Sequence, residues 1–561
     1  MQQMKFATSD IEANKWVYLV AIGLFDGTDY NVFDSIDNYL DFIINKKYNG
    51  FRIYFHNGGR YDFLFLVEKL LDRGSVDFVQ KSSGLLLLKF RTTKFYCEFA
   101  DSFAILPASL ERLIETYNIK EKKIKIDFKK GFSFSDKKMQ EHLKNDCISL
   151  FKILEQTENY YGFLSLTVPA QALRIFTKDY FSGYIYQASN SFDKYFRENY
   201  YKGGRVEVYK GTGENLYYYD VNSLYPYVML EKMPIGEPIK TKKYINNKSG
   251  FYKIKLKSKT DFLISPLSIK KDTGNYYVNG DVGDNFFVSS IELSYLIEKK
   301  IKYEVVEGYY FEREANLFED FVNHFYEKKK NSKDEVERYI AKLMLNSLYG
   351  KMGQSLEGEN IKSYEGEKNY KIFDASNDLI LITQDRKVKF RGVYIAAYIT
   401  ALARMHHLKL MEKIGFEHIF YCDTDSIITD KKIETGKEIG ELKLEDKIKE
   451  GVFLMPKVYG YINKDGKTVT HYKGFTKNKF KYTSLKKLLL GEKKELIESK
   501  ERILGFKEAV RRKNDIKYNN GTFLKVAMQD KILKNKYDKR LLEASENHVF
   551  VSNCLRKKDL I

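Results

Sequence analysis

The stretch Tyr421-Cys422-Asp423-Thr424-Asp425-Ser426 lies between two apolar runs, His418-Ile419-Phe420 and Ile427-Ile428. Two short apolar runs joined by a compact polar segment predict a tight β-hairpin with both carboxylates at its tip. Two carboxylates this close repel each other at neutral pH unless a cation lies between them. Oxygen ligands of this kind suit Mg²⁺. The alternative is an Asp-Thr-Asp turn that is solvated by water and holds no metal.

The composition is that of a globular protein with an uneven charge. A chain of 561 residues is too long for one hydrophobic core, so we expect roughly three to five domains. Hydrophobic residues make up 43% and aromatic residues 15%, which excludes a disordered chain. The formal charge is +19, and the segment from His471 to Arg540 holds 21 Lys and Arg against 8 Asp and Glu, a net +13. Such a basic segment indicates nucleic acid as a partner, although a lysine-rich proteome would give a similar bias.

No pattern of a secreted or membrane protein is found. The four cysteines are scattered without the spacing of a disulfide framework or a metal site: Cys97, Cys147, Cys422 and Cys554. This usage favours a reducing cytosol. The first residues lack a signal-peptide pattern, and no stretch approaches the ~20 apolar residues of a membrane span. We therefore expect a cytoplasmic protein without membrane contact, in the host cytoplasm if a phage encodes it.

The order of predicted elements indicates an α/β unit followed by further units. Over about the first 165 residues, strand patterns such as Ala7 to Glu12 and Trp16 to Ile22 alternate with helical patterns such as His142 to Leu154. Later, an apolar strand from Leu216 ends in Asp220. A helical region from about residue 317 to 349 is interrupted near residues 331–332, and residues 238–317 and 354–390 show short strand patterns with Gly turns.

A second acidic motif is Asp220-Val221-Asn222-Ser223-Leu224-Tyr225-Pro226. An acid at the end of a buried strand can bind a metal, and Pro226 suits the turn that follows. Tyr225 offers a flat wall that could exclude a sugar 2′-hydroxyl, although core packing is the alternative. Together with Asp423 and Asp425, Asp220 could hold two Mg²⁺ ions ~3.5–4 Å apart, the arrangement used for in-line phosphoryl transfer.

A third motif lies on a predicted helix. Within Lys342-Leu343-Met344-Leu345-Asn346-Ser347-Leu348-Tyr349-Gly350, the residues Lys342, Asn346 and Tyr349 share one face. Arg338 extends that face by one turn. A cationic face that ends in an aromatic ring can hold a triphosphate and stack on a base, whereas a charged face is often only solvated.

The tripeptide Lys457-Val458-Tyr459 is a weaker motif. Alternation along a strand would put Lys457 and Tyr459 on one side, where they would suit a DNA backbone near a primer end.

A second set of acids lies near the N-terminus. Asp10 and Glu12 would point to one face of a strand, Asp62 follows His56-Asn57-Gly58-Gly59-Arg60-Tyr61, and Asp146 lies on a predicted helix. Four converging acids would suit two-metal hydrolysis of a phosphodiester. Asn57 and Tyr61 could hold and stack a frayed single strand, and Lys125 and Asp127 would lie beside the site. The alternative is a set of unrelated surface carboxylates.

The order and wording of these motifs resemble family B DNA polymerases, specifically the small protein-primed enzymes of phages with linear genomes. The resemblance implies that Asp220 and Asp425 bind the catalytic metals, with Asp423 beside them and the Val221 carbonyl as a further ligand. It implies dNTP contacts by Lys342 and Tyr349, and makes Lys330 and Arg338 triphosphate partners by their position.

Further motifs of that family match this chain. Its "YxGG" linker matches Tyr201, Gly203 and Gly204, which would gate DNA between two active sites, and its "SLxxh" single-strand motif matches Ser109, Leu110 and Leu113. Its exonuclease motifs match Asp10 and Glu12, then Asn57, Tyr61 and Asp62, and then Asp146. Two positions depart from the pattern: His142 replaces the usual Tyr before Asp146, and Ala13 stands where a hydroxyl residue often follows the first motif. Because His titrates near neutrality, proofreading could be slower or differently dependent on pH.

The implied fold class is a multidomain α/β protein, with a ribonuclease H-like 3′-5′ exonuclease domain and a right-hand polymerase that carries two insertions. The expected boundaries are 1–165 for the exonuclease, 166–237 and 391–478 for the palm, 238–317 for a first insertion that contacts a terminal protein, 318–353 for the fingers, 354–390 for a second insertion that aids strand displacement and processivity, and 479–561 for the thumb.

The expected function is replication of a linear genome by a monomeric DNA-directed DNA polymerase, with proofreading and two Mg²⁺ ions, or Mn²⁺, in each active site. Expected partners are primer–template DNA, single-stranded DNA, dNTPs and a terminal protein primer. Three alternatives stay open: a DNA-primed repair polymerase, a nuclease with a degenerate polymerase domain, and a non-catalytic DNA-binding protein.

Overall fold

The N-terminal part of the chain alternates strands and helices, as its sequence patterns predict. A computed structural model of the protein describes residues 5–81, 84–121, 123–127, 130–385 and 390–560. Its first elements are β1 (Phe6–Asn14), β2 (Tyr18–Phe25), β3 (Tyr30–Phe33), α1 (Ile36–Ile43), β4 (Arg52–Phe55), α2 (Asp62–Leu71), β5 (Ser75–Lys81), β6 (Gly84–Arg91), β7 (Tyr96–Asp101), α3 (Leu110–Thr116) and α4 (Lys137–Tyr161). Helix α4 begins where the Asp136 carboxylate accepts hydrogen bonds from two backbone N–H groups, and it ends at Gly162 in a left-handed conformation.

The middle of the chain contains the strand that carries Asp220 and a set of short strands after it. The elements are α5 (Val168–Ile175), α6 (Asn190–Asn199), β8 (Val206–Val208), β9 (Thr212–Val221), α7 (Leu224–Val228), β10 (Met233–Ile235), β11 (Ile239–Thr241), β12 (Gly250–Leu256), β13 (Ser268–Lys271), β14 (Gly274–Asn279), β15 (Asn285–Ser289), α8 (Ser290–Glu298), β16 (Tyr303–Tyr310) and β17 (Arg313–Ala315). The prediction of many short strands between residues 238 and 317 is confirmed.

Two helices with a break between them follow, as predicted. They are α9 (Glu319–Asn331) and α10 (Glu335–Met352), and Asp334 caps the second. Next come β18 (Glu357–Ser363), β19 (Lys371–Asp374), β20 (Leu379–Asp385) and the long buried helix α11 (Val393–Ile414).

The remaining elements begin with the acidic hairpin. They are β21 (Ile419–Asp423), β22 (Ser426–Thr429), β23 (Leu442–Met455), β24 (Val458–Asn463), β25 (Thr468–Tyr472), α12 (Tyr482–Leu489), β26 (Glu495–Ile503), α13 (Phe506–Arg511), β27 (Ile516–Asn520), β28 (Leu524–Lys534), β29 (Leu541–Ser545), β30 (Val549–Asn553) and β31 (Leu555–Arg556).

The largest sheet joins strands from two distant parts of the chain. Its order is β19-β20-β18-β5-β6-β7-β4-β1-β2-β3. Strands β1, β4 and β7 are parallel, whereas β1, β2 and β3 pair antiparallel. Strand β18 pairs with β5 through Ile361 opposite Phe78 and Lys362 opposite Asp77. The segment 354–390, expected as a separate insertion, therefore continues the N-terminal sheet.

A seven-stranded antiparallel sheet holds the acidic motifs. Its order is β25-β24-β23-β9-β22-β21-β8. One face of its central strands packs on α11, α10 and α9 through a large apolar core, and Tyr219 and Val221 of β9 belong to that core. This packing fixes β9, and with it Asp220, against the helices of the third motif.

The segment 479–561, expected as one thumb domain, is divided between different neighbours. Strands β26, β28 and β27 form their own sheet. The hairpin β29–β30 instead packs beside β8 and β9, because the Gly211 N–H donates to the Phe550 carbonyl at 3.0 Å. Strand β31 pairs in parallel with β14, with Leu555 opposite Val278. The sheet β26-β28-β27 therefore ends at Lys534, and the strands after it belong to other sheets. In the described part of the chain, no helix has the length and apolar character needed to cross a membrane.

Candidate active sites

The acidic hairpin has the predicted form. Strands β21 and β22 are antiparallel, and Asp423 pairs with Ser426, so Thr424 and Asp425 form the turn. Thr424 has a φ of 61°, in the left-handed region. Its N–H donates to the Arg205 carbonyl at 2.7 Å, and the Asp425 N–H donates to the Asp423 carbonyl at 2.7 Å. These bonds hold both carboxylates at the end of the hairpin.

Asp220 lies next to this turn, although it is distant in sequence. Strand β9 pairs with β22, and Asp220 is opposite Ser426. The Val221 N–H donates to the Asp425 carbonyl at 2.8 Å, which ties the two motifs together at the acids themselves. The sequence prediction that the two acidic strand ends meet is confirmed.

Burial and neighbouring carboxylates destabilise the charged forms of Asp220 and Asp425. Burial and the nearby Asp425 raise the pKa of Asp220 to about 7. Burial also raises the pKa of Asp425, and Asp423 adds to the effect. Asp423 is compensated, because Lys457 Nζ lies 3.2 Å from its Oδ1. Unrelieved repulsion between buried carboxylates is what a divalent cation would neutralise, so this donor set fits a hard metal ion. Within the described residues, however, no three Asp, Glu, His or Cys side chains are already gathered as a metal cluster.

A lysine from α9 faces Asp220. Lys329 Nζ donates to Ser223 Oγ at 2.8 Å. Burial lowers the pKa of Lys329, and the cations of Lys342 and Lys443 lower it further, whereas Asp220 raises it. Lys330, the residue expected here, is directed to Glu438, with Nζ 2.8 Å from Oε1. Lys329, the neighbour of Lys330 in the run of lysines, thus lies closer to the acidic motif, and triphosphate binding by Lys330 stays a prediction.

The remaining residues of the helical motif take different positions. Lys342 and Asn346 are exposed, while Leu345 and Leu348 are buried, so the predicted division of this helix into faces is confirmed. Tyr349 stacks on Tyr225 with ring centroids 4.2 Å apart and an interplanar angle of 7°. Arg338 lies one turn from the start of α10 and pairs with Glu335 at 2.8 Å. Its part in triphosphate binding stays a prediction.

The Tyr-x-Gly-Gly segment contacts both the acidic hairpin and the end of α10. A Cβ added at Gly204 would lie 2.8 Å from Thr424 Cγ2, whereas one at Gly203 would meet open space. A Cβ added at Gly353 would lie 2.6 Å from Tyr201 Oη. Gly204 thus leaves room for the hairpin turn, a role that its motif alone does not reveal.

The interpretation of Lys457 and Tyr459 as neighbours on one face of a strand is wrong. Lys457 lies in the turn before β24 with a φ of 63°, so strand alternation does not include it. Tyr459 is buried, and its ring stacks on His471 at 4.6 Å. Lys457 reaches the acidic hairpin because of that turn, and DNA contact by either residue stays a prediction.

The N-terminal acids form a second site. Asp10 and Glu12 lie on β1, Asp62 begins α2, and Asp146 lies on α4. Burial raises the pKa of Asp10 well above its usual range, and Asp62, Asp146 and Glu12 raise it further. Burial raises the pKa of Asp62 to about 8. Asp146 Oδ1 is buried without a hydrogen-bond partner among the described atoms. Four acids within electrostatic range, one with an orphaned oxygen, fit a divalent cation, although they too are not gathered into a preformed cluster.

A histidine and a lysine lie against these acids. His142 Nε2 lies 3.1 Å from Glu12 Oε1 and 3.7 Å from Asp146 Oδ2, and its Nδ1 lies 2.6 Å from the Ile124 carbonyl. Burial lowers the pKa of His142, but Glu12 and Asp146 outweigh it, and the net pKa is raised. Lys123 Nζ lies 3.0 Å from Asp146 Oδ2. Lys125 and Asp127 are exposed. Lys123 is thus a lysine that contacts these acids directly, and a role for Lys125 stays a prediction.

The residues expected to hold a single strand lie around these acids. Asn57 is in a left-handed conformation with a φ of 63°, and its backbone N–H helps to bind the Asp101 carboxylate. Ser109 caps α3 by accepting the Arg112 N–H at 3.4 Å, and Leu110 is buried. Asp101 was missed by the motif comparison, although it raises the pKa of Asp62. Its sequence signal is an acid at the end of an apolar strand.

Comparison with known proteins identifies the family. The family model described as "DNA polymerase type B, organellar and viral" matches residues 43–138 and 133–427. A probable DNA polymerase of Neurospora intermedia is 30% identical over 543 residues, covering 80% of this chain and 55% of that protein. The DNA polymerase of Bacillus phage phi29 is 25% identical, covering 77% of this chain and 81% of that one.

The fold is also that of a solved structure. Phi29 DNA polymerase superposes with a TM-score of 0.72 at 21% identity, covering 95% of this chain and 100% of the other. This likeness shows a shared multidomain α/β fold. The chain spans only about half the length of the Neurospora relative. The motif resemblance and the family match agree, and the chain belongs to the type B DNA polymerases of the organellar and viral family.

Proposed function

We propose that the protein is a DNA-directed DNA polymerase with an N-terminal 3′→5′ exonuclease. The observation that carries the polymerase activity is the hydrogen-bonded junction of β9 and the acidic hairpin, where Asp220 and Asp425 meet. The amine of Lys329 and the stacked rings of Tyr225 and Tyr349 border the same acids. Carboxylates, cations and a flat aromatic wall are the groups that a nucleoside triphosphate and a primer end require.

Each residue of this site has a distinct role in the proposal. Asp220, Asp425, Asp423 and the Val221 carbonyl would hold two Mg²⁺ ions, or Mn²⁺, which lower the pKa of a primer 3′-hydroxyl and neutralise the pyrophosphate leaving group. Lys329, Lys342 and Arg338 would bind the triphosphate. Tyr225 would lie against the sugar, and Tyr349 against the base.

The fold supports the same assignment of exonuclease and polymerase activities to different parts of the chain. The antiparallel strands β3-β2-β1, continued by the parallel strands β4 and β7, support a ribonuclease H-like exonuclease domain. The seven-stranded sheet would be the palm, α9 and α10 the fingers, and the sheet β26-β28-β27 the thumb. This assignment moves the thumb boundary to about residue 534.

In the exonuclease proposal, Asp10, Glu12, Asp62 and Asp146 would hold the metals for phosphodiester hydrolysis. His142 would take the place of the usual tyrosine and orient the attacking water. Glu12 and the Ile124 carbonyl engage both of its ring nitrogens, so it would act on the water indirectly, by fixing the Glu12 carboxylate. Lys123 would balance the charge of Asp146.

Separate inactivation of the two sites tests the proposal. Asp425→Asn should abolish primer extension with Mg²⁺ and dNTPs while leaving degradation of single-stranded DNA intact. Asp10→Ala combined with Asp62→Ala should do the reverse. Each measurement uses a labelled primer–template, with chain extension and shortening resolved on a gel.

Two control variants carry the same chemical changes outside the sites. Asp430→Asn changes the carboxylate that pairs with His418 just after β22. Asp41→Ala with Asp72→Ala changes exposed carboxylates of the N-terminal unit. Both controls should keep both activities. Full extension by Asp425→Asn would contradict the polymerase assignment. Unaltered degradation by Asp10→Ala combined with Asp62→Ala would contradict the exonuclease assignment.

Protein priming and strand displacement are finer parts of the proposal. The unit formed by β11 to β16, with β31 paired to β14, would contact a terminal protein. Incubation with a candidate terminal protein and labelled dATP should place covalent label on a Ser, Thr or Tyr of that protein. Efficient use of nucleic-acid primers without such label, on several templates, would favour DNA priming instead.

A further inference from the structure

Trp16 has an unusual position at the edge of the N-terminal acidic site. It is the only tryptophan in the chain. It lies in the connection between β1, which carries Asp10 and Glu12, and β2. The residue is 52% exposed, whereas the next residue, Val17, is fully buried. The loop therefore presents a large aromatic ring to solvent from an anchored backbone.

The backbone of this loop is both strained and fixed. Lys15 has a φ of 48° and Trp16 a φ of 68°, so two successive side-chain-bearing residues are in the left-handed region. Bulky residues rarely adopt this conformation, and such outliers cluster at functional sites. The amide of Asn14 anchors the loop, because its Nδ2 donates to the Phe132 carbonyl at 2.8 Å and its Oδ1 accepts the Phe132 N–H at 3.2 Å. The Val17 N–H donates to the Asn14 carbonyl at 3.2 Å.

The ring of Trp16 contacts Tyr61, and Tyr61 is the sequence neighbour of Asp62. It lies edge-to-face on Tyr61, with centroids 6.1 Å apart and an interplanar angle of 84°. Tyr61 directly precedes Asp62 and is within electrostatic range of Asp62, Glu12 and Asp10. Trp16 and Tyr61 thus form an aromatic step that leads from solvent to the carboxylates.

One exposed lysine lies beside this step, and a basic segment whose Arg512 and Lys517 pair with Glu508 and Glu501 ends near it. Lys15 is exposed beside Trp16. On the other side, Asn520 at the end of β27 donates from Nδ2 to the Val17 carbonyl at 3.0 Å. The segment that leads to Asn520 contains Arg511, Arg512, Lys513 and Lys517 against the single acid Asp515. An exposed aromatic ring beside an exposed lysine suits a single-stranded nucleic acid, since bases stack on the ring and phosphates pair with the cation.

We propose that Trp16 is a base-stacking subsite for single-stranded DNA, which holds a nucleotide upstream of the 3′ end bound at Asp10, Glu12, Asp62 and Asp146. This inference rests on the proposed exonuclease function. It adds a residue that lies outside the single-strand motifs of Asn57, Tyr61, Ser109 and Leu110. The strand would pass over the exposed ring of Trp16, on the solvent side of the β1–β2 loop.

Because Trp16 is the only tryptophan, its fluorescence reports on this subsite alone. The test is a titration of the full-length protein with a short oligothymidylate in EDTA, where no hydrolysis occurs. Saturable quenching of tryptophan emission is expected, with much weaker quenching by a blunt-ended duplex. In parallel, the anisotropy of a labelled oligothymidylate measures binding itself.

Variants separate stacking from general binding. Trp16→Ala should weaken oligothymidylate binding about five- to tenfold, and Trp16→Phe should recover most of that loss. Tyr18→Ala removes another exposed ring, 55% exposed, from the same hairpin and should weaken binding less than twofold. An oligothymidylate that binds by anisotropy without changing tryptophan emission would overturn the proposal, as would equal losses in Trp16→Ala and Tyr18→Ala.

The outcome is distinguishable from failure of the exonuclease assignment. If Trp16 is quenched but the protein degrades no single-stranded DNA with Mg²⁺, the subsite stands and the exonuclease activity does not. If degradation depends on Asp10 and Asp62 while Trp16 emission is unchanged, the activity stands and the subsite is refuted.

Discussion

At the scale of single residues, Gly204 has little freedom to change. Its missing side chain leaves room for Thr424, whose Cγ2 would lie 2.8 Å from an added Cβ. Gly204→Ala must therefore displace the turn that carries Asp425, and we expect primer extension to fall at least about tenfold, which corresponds to about 1.4 kcal/mol in activation free energy. The measurement is the rate of single-nucleotide addition at saturating dNTP.

Gly203→Ala is the matched comparison, because the added methyl group meets open space. This variant should lose clearly less activity than Gly204→Ala. Equal losses in the two variants would show that the motif acts through DNA contact rather than through support of the hairpin.

Single residues also mark the limit of sequence reasoning. The motifs correctly gave the acids Asp220 and Asp425 as neighbours, because Asp220 lies near the end of a buried strand and Asp425 lies in a turn between two buried strands. They did not distinguish Lys329 from Lys330, since adjacent residues on a helix differ only by a rotation of about 100° that depends on packing. The choice between Lys123 and Lys125 depends in the same way on the path of an irregular segment. Patterns of spacing carry no information about that path.

At the scale of elements, helix α11 supports the acidic hairpin through His407. This side chain is fully buried, and its Nε2 lies 3.1 Å from the Ser426 carbonyl. Burial, together with the neighbouring Arg205 and His406, lowers the pKa of His407 from 6.5 to about 4. The folded state thus keeps His407 neutral while the unfolded chain takes up a proton below pH 6.5. This contribution to stability is present above that pH and is lost as the pH falls toward 4.

We therefore expect His407→Gln to make the free energy of unfolding less dependent on pH. Glutamine can still donate to the Ser426 carbonyl but does not titrate. Between pH 7 and pH 5 the wild-type protein should lose about 2 kcal/mol more than the variant in free energy of unfolding. Urea unfolding at the two pH values measures this difference. Equal losses in free energy of unfolding in both proteins would mean that protonation of His407 does not destabilise the folded state.

The segment between β25 and α12 carries the exposed lysines Lys477, Lys479 and Lys481. If these lysines contact phosphates, replacing all three by Gln should flatten the plot of log binding constant against log salt by about 2 to 3 units, since each phosphate contact adds about 0.9. Fluorescence anisotropy with primer–template at several salt concentrations measures the slope. Lys409→Gln with Lys413→Gln, on the last turns of α11, is the control, and a flattening of similar size there would contradict a local DNA contact.

Elements with strong local signals were predicted well. The hairpin, the pair of helices α9 and α10, and the strands β1 and β2 follow from apolar periodicity and turn residues. The position of Lys457 was not predicted. This residue is in a left-handed turn that interrupts strand alternation, and the sequence has no Gly or Asn there to indicate such a turn.

At the scale of the whole molecule, Phe506 joins three parts of the chain. Its ring stacks on Phe78 at 4.8 Å, on Phe523 at 5.2 Å and on Phe373 at 5.7 Å. Phe506→Ala should cost about 3–5 kcal/mol locally and separate the sheet β26-β28-β27 from the large sheet. If this contact helps to retain DNA, products made in one binding event should become shorter while addition of the first nucleotide changes little.

Phe506→Leu keeps an apolar side chain and should have an intermediate effect. Product lengths are measured in the presence of a heparin trap. Unchanged product length in a folded Phe506→Ala protein would show that this contact has no part in DNA retention.

Long-range arrangement was the least predictable level. The segments 357–385 and 541–556 were expected within a second insertion and the thumb, yet their strands pair with or pack on other units. A short strand pattern with polar turns predicts that the segment pairs in a sheet. It does not predict which sheet edge the strand joins, since backbone hydrogen bonds are the same at every edge. Spacing between motifs gave the lengths of these segments and not their partners.

The pairing of β18 with β5 has a consequence for synthesis and for fragments. During translation, β5 leaves the ribosome almost three hundred residues before the strand that covers its open edge. Until then the nascent N-terminal unit exposes unpaired backbone N–H and carbonyl groups along Ser75–Lys81, which is a template for association with other chains. A fragment ending before residue 357 keeps that exposed edge permanently. Self-association of such a fragment, relieved by adding a peptide of the β18 sequence, is what the shared sheet implies.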